Sequence, residues 1–271
     1  MENGNFDLFT YMKTINNIIF LRRQRFNFQD SKVQTNLCSK QLEVCIDSLE
    51  SAQNAVLGGA DELEVCSILT EGGLTPSPGL VAEKCKVNIM IRCRSGSNFC
   101  YSAQEMTTML ADIEFYKTME IDSFVFGALT SDNEIDVENC RRVINKAHPL
   151  PVTFHRAFDI CKVPEEAITK IINLGFKRLL TSGQKISASE EEAKELIRKL
   201  LQHKIEIMPG SGVSYENIMD FFKLGCTIVH SSCKATQKLQ CGSISMGSPE
   251  VYITSFENVQ KIKQIEFPVN V

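Results

Sequence analysis

The tetrapeptide Leu-Glu-Val-Cys occurs twice, at Leu42–Cys45 and at Leu63–Cys66. In an extended strand, side chains alternate between faces, so residues i and i+2 share one. Each copy therefore puts a leucine and a valine on one face and a carboxylate and a thiol on the other. The apolar face needs a cover. The intervening segment supplies a helix: Ser48 is a candidate N-cap, Leu49, Ala52, Ala55 and Val56 follow at helical spacing, and Gly58-Gly59 supplies the stop. Strand, helix and strand in this order form a parallel unit with a crossover helix.

The unit recurs along the chain. Expected strands are Leu42–Ile46, Glu62–Cys66, Val87–Arg92, Ser123–Leu129, Pro151–His155, Arg178–Thr181, Ile205–Met208 and Thr227–Ser231. Ser102 with Glu105 reads as a capping box before Met106, Met109, Leu110 and Ile113. Further helices fit 136–147, 164–174, 189–203 and 214–224, with Gly175 and Gly225 placed as C-terminal caps. Eight repeats predict an α/β fold, a (β/α)8 TIM-type barrel closed as a single domain rather than an open doubly wound sheet. The expected organisation is an N-terminal extension over 1–40, the barrel over 41–247, and a tail over 248–271 with a last helix near 255–265.

Composition narrows the function classes. The chain has 271 residues, 43% hydrophobic and 23% charged, which describes an ordinary globular protein. A net charge of −4 removes the usual electrostatic basis for binding nucleic acid. No stretch approaches the roughly 20 apolar residues of a membrane span. Residues 1–40 hold six basic side chains against three acidic ones, so the acidic excess lies in the rest of the chain. The 11 cysteines are odd in number and show no Cys-x-x-Cys or zinc-finger spacing. With no secretory signal pattern, they fit a reducing, cytoplasmic setting and mostly inert thiols.

Strand alternation predicts what faces the barrel interior. Glu43 and Cys45 share a face, as do Glu64 and Cys66, Arg92 and Arg94, Thr153 and His155, and His230 and Ser232. A barrel interior is usually filled with branched apolar side chains. Buried charge is costly unless paired, so Arg92 is expected to pair with Glu43 or Glu64. These groups mark a polar site at the carboxyl ends of the strands. The loop Met208-Pro209-Gly210-Ser211-Gly212-Val213 and the His230-Ser231-Ser232 run lie where barrels often bind phosphate. With Arg94 and Ser182, they form a candidate anion site built on Gly210, Gly212, His230 and Ser231. Glu71 and Tyr101 sit in loops over the barrel mouth.

These residues carry a resemblance to the copper homeostasis protein CutC family. The matching stretches are LEVCIDS at 42–48, GGADELEVC at 58–66, EGGLTPS at 71–77 and the Arg-x-Arg of 92–94 with Phe99, Tyr101 and Ser102. PVTFHRAFD at 151–159, LTSG at 180–183, PGSGV at 209–213 and HSS at 230–232 complete the set. The chain departs from the family pattern at Cys93, Ser95 and Asn98. The resemblance implies a (β/α)8 barrel, a cytoplasmic homo-oligomer, and copper binding or copper tolerance as the role.

Two functions of different classes follow. The first is a copper-binding protein: Cu(I) is soft and selects thiolates and thioethers, and Cys45 with Cys66 on neighbouring strand ends is the candidate pair, sufficient alone or with His230 or a nearby Met as a third donor. The second is an enzyme acting on a small phosphorylated or carboxylated metabolite. There the carboxylates Glu43 and Glu64 and the acid–base candidate His155 would do the chemistry, Asp159 or Glu71 would position His155 or take part directly, and Arg92 with Arg94 would hold the anion. The residues alone leave both open.

Overall fold

The structure, a computed structural model, describes residues 40–80, 85–238, 248 and 250–265. Residues 1–39 of the expected 1–40 extension and the segment 239–247 lie outside the described residues. Eight strands make the main sheet: β1 Gln41–Ile46, β2 Glu62–Val65, β3 Lys86–Met90, β4 Ser123–Phe126, β5 Val152–Phe154, β6 Arg178–Thr181, β7 Glu206–Pro209 and β8 Ile228–Ser231. All neighbouring pairs are parallel. Their order is β7-β6-β5-β4-β3-β2-β1-β8. The two ends, β7 and β8, meet where Thr227 Oγ1 donates to Glu206 Oε1 at 3.2 Å, so the barrel is nearly closed.

Outside it lie α1 Leu49–Gly58, α2 Ala103–Tyr116, α3 Val137–Ala147, α4 Pro164–Leu174, α5 Glu191–Leu200, α6 Ile218–Leu224 and α7 Phe256–Lys263. The starts follow the sequence signals. Ser48 caps α1 by accepting from the Ser51 N–H, and Ser102 and Glu105 complete the reciprocal capping box of α2. Between β2 and β3 the described residues form only two short 3-10 turns, Leu69–Glu71 and Pro78–Leu80.

The outward strand residues make the core between sheet and helices. Leu42, Val44, Ile46, Leu63, Val65, Ile89, Phe124, Phe126, Phe154 and Leu179 are all buried, as are Met106, Met109, Ile113, Ile168, Ile171 and Phe221 on the helices. Burying a side chain of this size contributes roughly 1.5–3 kcal/mol. That term fixes the strand register, because a one-residue slip would turn the apolar set inward.

Two differences from the sequence reading matter. Strands β3, β4 and β5 are shorter than expected and stop at Met90, Phe126 and Phe154. Arg92 and His155 therefore lie in the connections beyond the strand ends. An antiparallel ribbon, β9 Lys234–Lys238 with β10 Glu250–Thr254, also precedes the expected last helix, and its first strand lies within the range 41–247 expected to be barrel. Every residue of β9 is exposed, so it carries no apolar alternation to reveal it. None of the described helices is long and apolar enough to cross a membrane.

Candidate functional site

The interior is built in tiers. At the amino ends of the strands, Arg178 is held by three carboxylates. Its Nη1 lies 2.7 Å from Glu62 Oε2 and 3.6 Å from Glu43 Oε2, and its Nε lies 2.7 Å from Glu206 Oε2. Asn88 Nδ2 donates to Glu43 Oε2 at 2.5 Å and to Glu62 Oε2 at 2.9 Å. Burial alone would raise the Glu62 pKa, but Arg178, Asn88 and Lys86 outweigh it and hold the carboxyl at about 2. Each carboxylate of this network faces a cation: Glu43 and Glu206 face Arg178, and Glu62 faces both Arg178 and Lys86. Above it come two small apolar clusters, Cys66 with Met90 and Val125, and Leu180 with Met208 and Ile228.

At the carboxyl ends lies a second polar group. Cys45 from β1, Glu64 from β2 and His230 from β8 offer one donor atom each, all within 4.8 Å of one another and all buried. The parallel register explains the meeting. Cys45 is the partner of Glu64 across β1–β2, and Glu43, one pleat below Cys45, is the partner of His230 across β1–β8. Glu43 Oε1 lies 2.8 Å from His230 Nδ1, so the ring edge bearing Nε2 turns to Glu64, at 3.8 Å from Oε2. Burial opposes the charged imidazolium, yet Cys45, Glu64 and Glu43 around it push the His230 pKa well above the usual value. Burial pushes the Glu64 carboxyl up to about 7; His230 pulls the other way, and Glu43 adds to the rise.

Cys66 stands beside this group rather than in it. Its Sγ donates to Glu64 Oε2 at 3.4 Å, and burial with the neighbouring Glu64 and Cys45 pushes its thiol pKa well up. The donor cluster thus joins Cys45 to Glu64 and His230, while the second expected thiol backs onto the same carboxylate.

The expected ion pair between Arg92 and Glu43 or Glu64 does not form. Beyond the end of β3 the chain carries the guanidinium into the loops. Nη1 donates to the carbonyls of Glu71 and Gly73 at 3.1 and 3.2 Å, and Nη2 to that of Gly96 at 2.5 Å. Glu71 itself is exposed and contributes only its carbonyl. Arg94 is likewise committed, to Glu105 at 2.5 Å and to the carbonyls of Asn98 and Cys100. His155 Nδ1 accepts from the Ala157 N–H at 3.2 Å, and Phe99, Phe126 and Phe154 surround its ring. Burial, with Arg92 and Arg156 nearby, lowers its pKa to about 3, so the ring is neutral.

Asp159 does not orient His155. Its carboxylate accepts from Thr181 Oγ1 at 2.5 Å, from the Ser182 N–H at 3.0 Å and from Arg156 Nε at 2.8 Å. It thereby occupies with an internal anion the N–H and hydroxyl of Ser182, which sequence reading assigned to a ligand. The glycine loop is shaped by packing. The Gly210 N–H donates to the Thr181 carbonyl at 2.9 Å. At Gly212, with φ of +73°, a Cβ would lie 2.1 Å from Ser187 Oγ, so only glycine fits. Ser231 Oγ donates to the Val213 carbonyl at 2.7 Å. Arg94, Ser182, Gly210 and Ser231 thus each donate to other protein groups, the Gly212 carbonyl accepts from Asn217, and His230 belongs to the Cys45 cluster. Sequence reading missed Arg178, Glu62, Asn88 and Glu206, each near the amino end of its strand.

A nearly closed parallel barrel with thiol, carboxylate and imidazole gathered at the carboxyl ends of its strands is a TIM-type barrel with a potential metal-binding mouth. The profile of the CutC family matches residues 40–235. The human copper homeostasis protein cutC homolog is 41% identical over 240 residues, covering 83% of this chain and 87% of the relative. The Caenorhabditis elegans homolog of the same name is 40% identical over 243 residues, covering 84% and 96%. The CutC crystal structure from Streptococcus agalactiae superposes with a TM-score of 0.67 at 31% identity, covering 71% of this chain and 98% of that one. The chain belongs to the CutC family.

Proposed function

We propose that the protein binds Cu(I) at the barrel mouth, with Cys45 Sγ and His230 Nε2 as the principal donors. The observation that carries this reading is the gathering of Cys45, Glu64 and His230 within 4.8 Å in a buried site. Thiolate and imidazole are donors that suit copper. Glu64 Oε1 is a buried atom with no hydrogen-bond partner. An unpartnered buried oxygen is costly, and a cation at the cluster would satisfy it. The Glu43–His230 bond resembles the carboxylate–histidine pairing that orients ligands in metal sites. Cys66, whose Sγ donates to Glu64 Oε2, is the next thiol along. This keeps thiolate ligation but makes the site mixed rather than a bare pair of cysteines. The curated relatives named for copper homeostasis support the choice of metal.

The test is an anaerobic Cu(I) competition titration. Cys45→Ser and His230→Ala are expected to abolish or strongly weaken stoichiometric binding, and Cys66→Ser to weaken it less. Wild-type affinity in Cys45→Ser would overturn the proposal. A Cys66→Ser variant as weak as Cys45→Ser would instead support ligation by the two thiols as a pair.

A further inference from the structure

Four buried side-chain atoms have no hydrogen-bond partner among the described residues: Glu64 Oε1, Arg92 Nε, Tyr101 Oη and His155 Nε2. The first belongs to the donor cluster above. The other three are all donors. His155 accepts at Nδ1 from Ala157, so its neutral ring carries the proton on Nε2.

These three belong to one neighbourhood. The Arg92 guanidinium lies over the Phe99 ring at 5.2 Å, and Phe99 lies 5.0 Å from the His155 ring. Tyr101 and His155 both pack on Phe126, at 6.1 and 6.5 Å. Arg92 acts electrostatically on both. All three side chains are deeply buried, at 5, 7 and 4% exposure for Arg92, Tyr101 and His155.

The charge is as telling as the orphans. Arg92 forms no ion pair among the described residues; its partners are neutral carbonyls. A buried cation without a counter-charge is costly. A buried water would satisfy a donor but would leave that charge standing. We infer that Arg92, Tyr101 and His155 form a binding site for the carboxylate of a small organic acid, separate from the Cys45 cluster. The single charge of Arg92 matches a monoanion, and its Nε–H has no partner among the described residues. Neutral His155 and Tyr101 add hydrogen bonds without charge, so a phosphate dianion would be left half compensated. The rings of Phe99 and Phe126 supply apolar walls for the body of the acid.

The experiment titrates metal-free protein, so that its outcome is independent of copper, with sodium acetate, sodium benzoate and inorganic phosphate. Thermal unfolding and calorimetry provide the readouts. The carboxylates are expected to raise the unfolding midpoint with saturation, and phosphate is expected not to. Tyr101→Phe removes only an unpartnered hydroxyl, so it is expected to fold at least as stably as the wild type. It should bind the carboxylate about tenfold or more weakly, the loss of one hydrogen bond to a charged group. His155→Asn keeps an acceptor for the Ala157 N–H and is expected to weaken binding to a similar degree. Absence of saturable carboxylate binding, tighter binding of phosphate, or wild-type affinity in Tyr101→Phe would each overturn the assignment.

Discussion

Glu43 Oε1 lies 2.8 Å from His230 Nδ1 across the pairing of β1 with β8. The same carboxylate accepts from Asn88 at 2.5 Å through its other oxygen. Glu43 therefore links the charged tier at the amino ends of the strands to the donor cluster at the mouth. Its bond to Nδ1 leaves Nε2 as the ring atom turned toward Glu64. Glu43→Gln keeps the size and an acceptor for Asn88 but removes the charge facing His230. The variant is expected to remain folded and to bind Cu(I) about 10–100-fold more weakly, as loss of a ligand-orienting partner does. A competition titration alongside thermal unfolding checks both halves. Wild-type affinity would show that His230 needs no such orientation.

Arg178 is the keystone of the lower tier. Removing one partner of a buried charge group leaves the rest uncompensated, at a cost of about 3–5 kcal/mol. Arg178→Met is expected to lose that much in urea unfolding at neutral pH, and Arg178→Lys less, since lysine keeps the charge without the fork. The pH dependence has a definite sign. The Glu62 pKa is depressed from 4.5 to about 2. Its stabilisation is fully present above pH 4.5 and is lost as pH falls toward 2. Wild type is expected to lose more stability than Arg178→Met across that window, because in the variant only Asn88 and Lys86 are left to oppose the burial of Glu62. Parallel acid curves for the two proteins would refute the coupling.

Much of this was legible from the repeated Leu-Glu-Val-Cys, because strand period alone sends Glu43, Cys45 and Glu64 inward. The meeting with His230 follows from closure of the barrel, since β8 pairs with β1. What sequence could not give was where each strand stops. Extending β3 to Arg92 made it an interior partner for a glutamate, whereas the strand ends at Met90 and the guanidinium turns to the loops. Arg178 and Glu206 open their strands, where a charged residue reads equally well as solvent-facing. Only the register Arg178–Glu206 and the reach across the barrel to Glu62 reveal their role.

His155 and Glu64 titrate in overlapping windows with opposite consequences. The His155 pKa is lowered from 6.5 to about 3, so the unfolded chain takes up a proton first and stability falls as pH drops below 6.5. The Glu64 pKa is raised from 4.5 to about 7, so its protonated form favours the fold below pH 4.5 and that contribution is lost as pH rises through 7. The two slopes oppose each other, and the wild-type profile alone separates neither. Comparison with His155→Asn isolates one. From neutral pH down to pH 5 the wild type is expected to lose about 2 kcal/mol relative to the variant. Urea midpoints that shift in parallel for the two proteins would exclude a buried neutral histidine.

The last helix closes the outer layer against α1, and the contact depends on one missing side chain. A Cβ added at Gly58 would lie 2.6 Å from Val259 Cβ and 3.1 Å from the Phe256 carbonyl. Neither is the end of a flexible chain, so the helices would have to move apart. Nearby, Asn54 Nδ2 donates to the Thr254 carbonyl at 2.9 Å, and the Thr254 N–H donates to Ser51 Oγ at 3.1 Å. A separation would break these bonds too. Helix propensity alone gives the opposite sign, because alanine in a helix is favoured over glycine by about 1 kcal/mol. Overpacking costs about 1–3 kcal/mol, and the lost hydrogen bonds add to it. Gly58→Ala is therefore expected to lower the unfolding free energy. Gly79→Ala, where nothing lies within 4 Å of the new Cβ, serves as the control and should stay near wild type. A stabilised Gly58→Ala would mean that α7 does not pack on α1 at this distance.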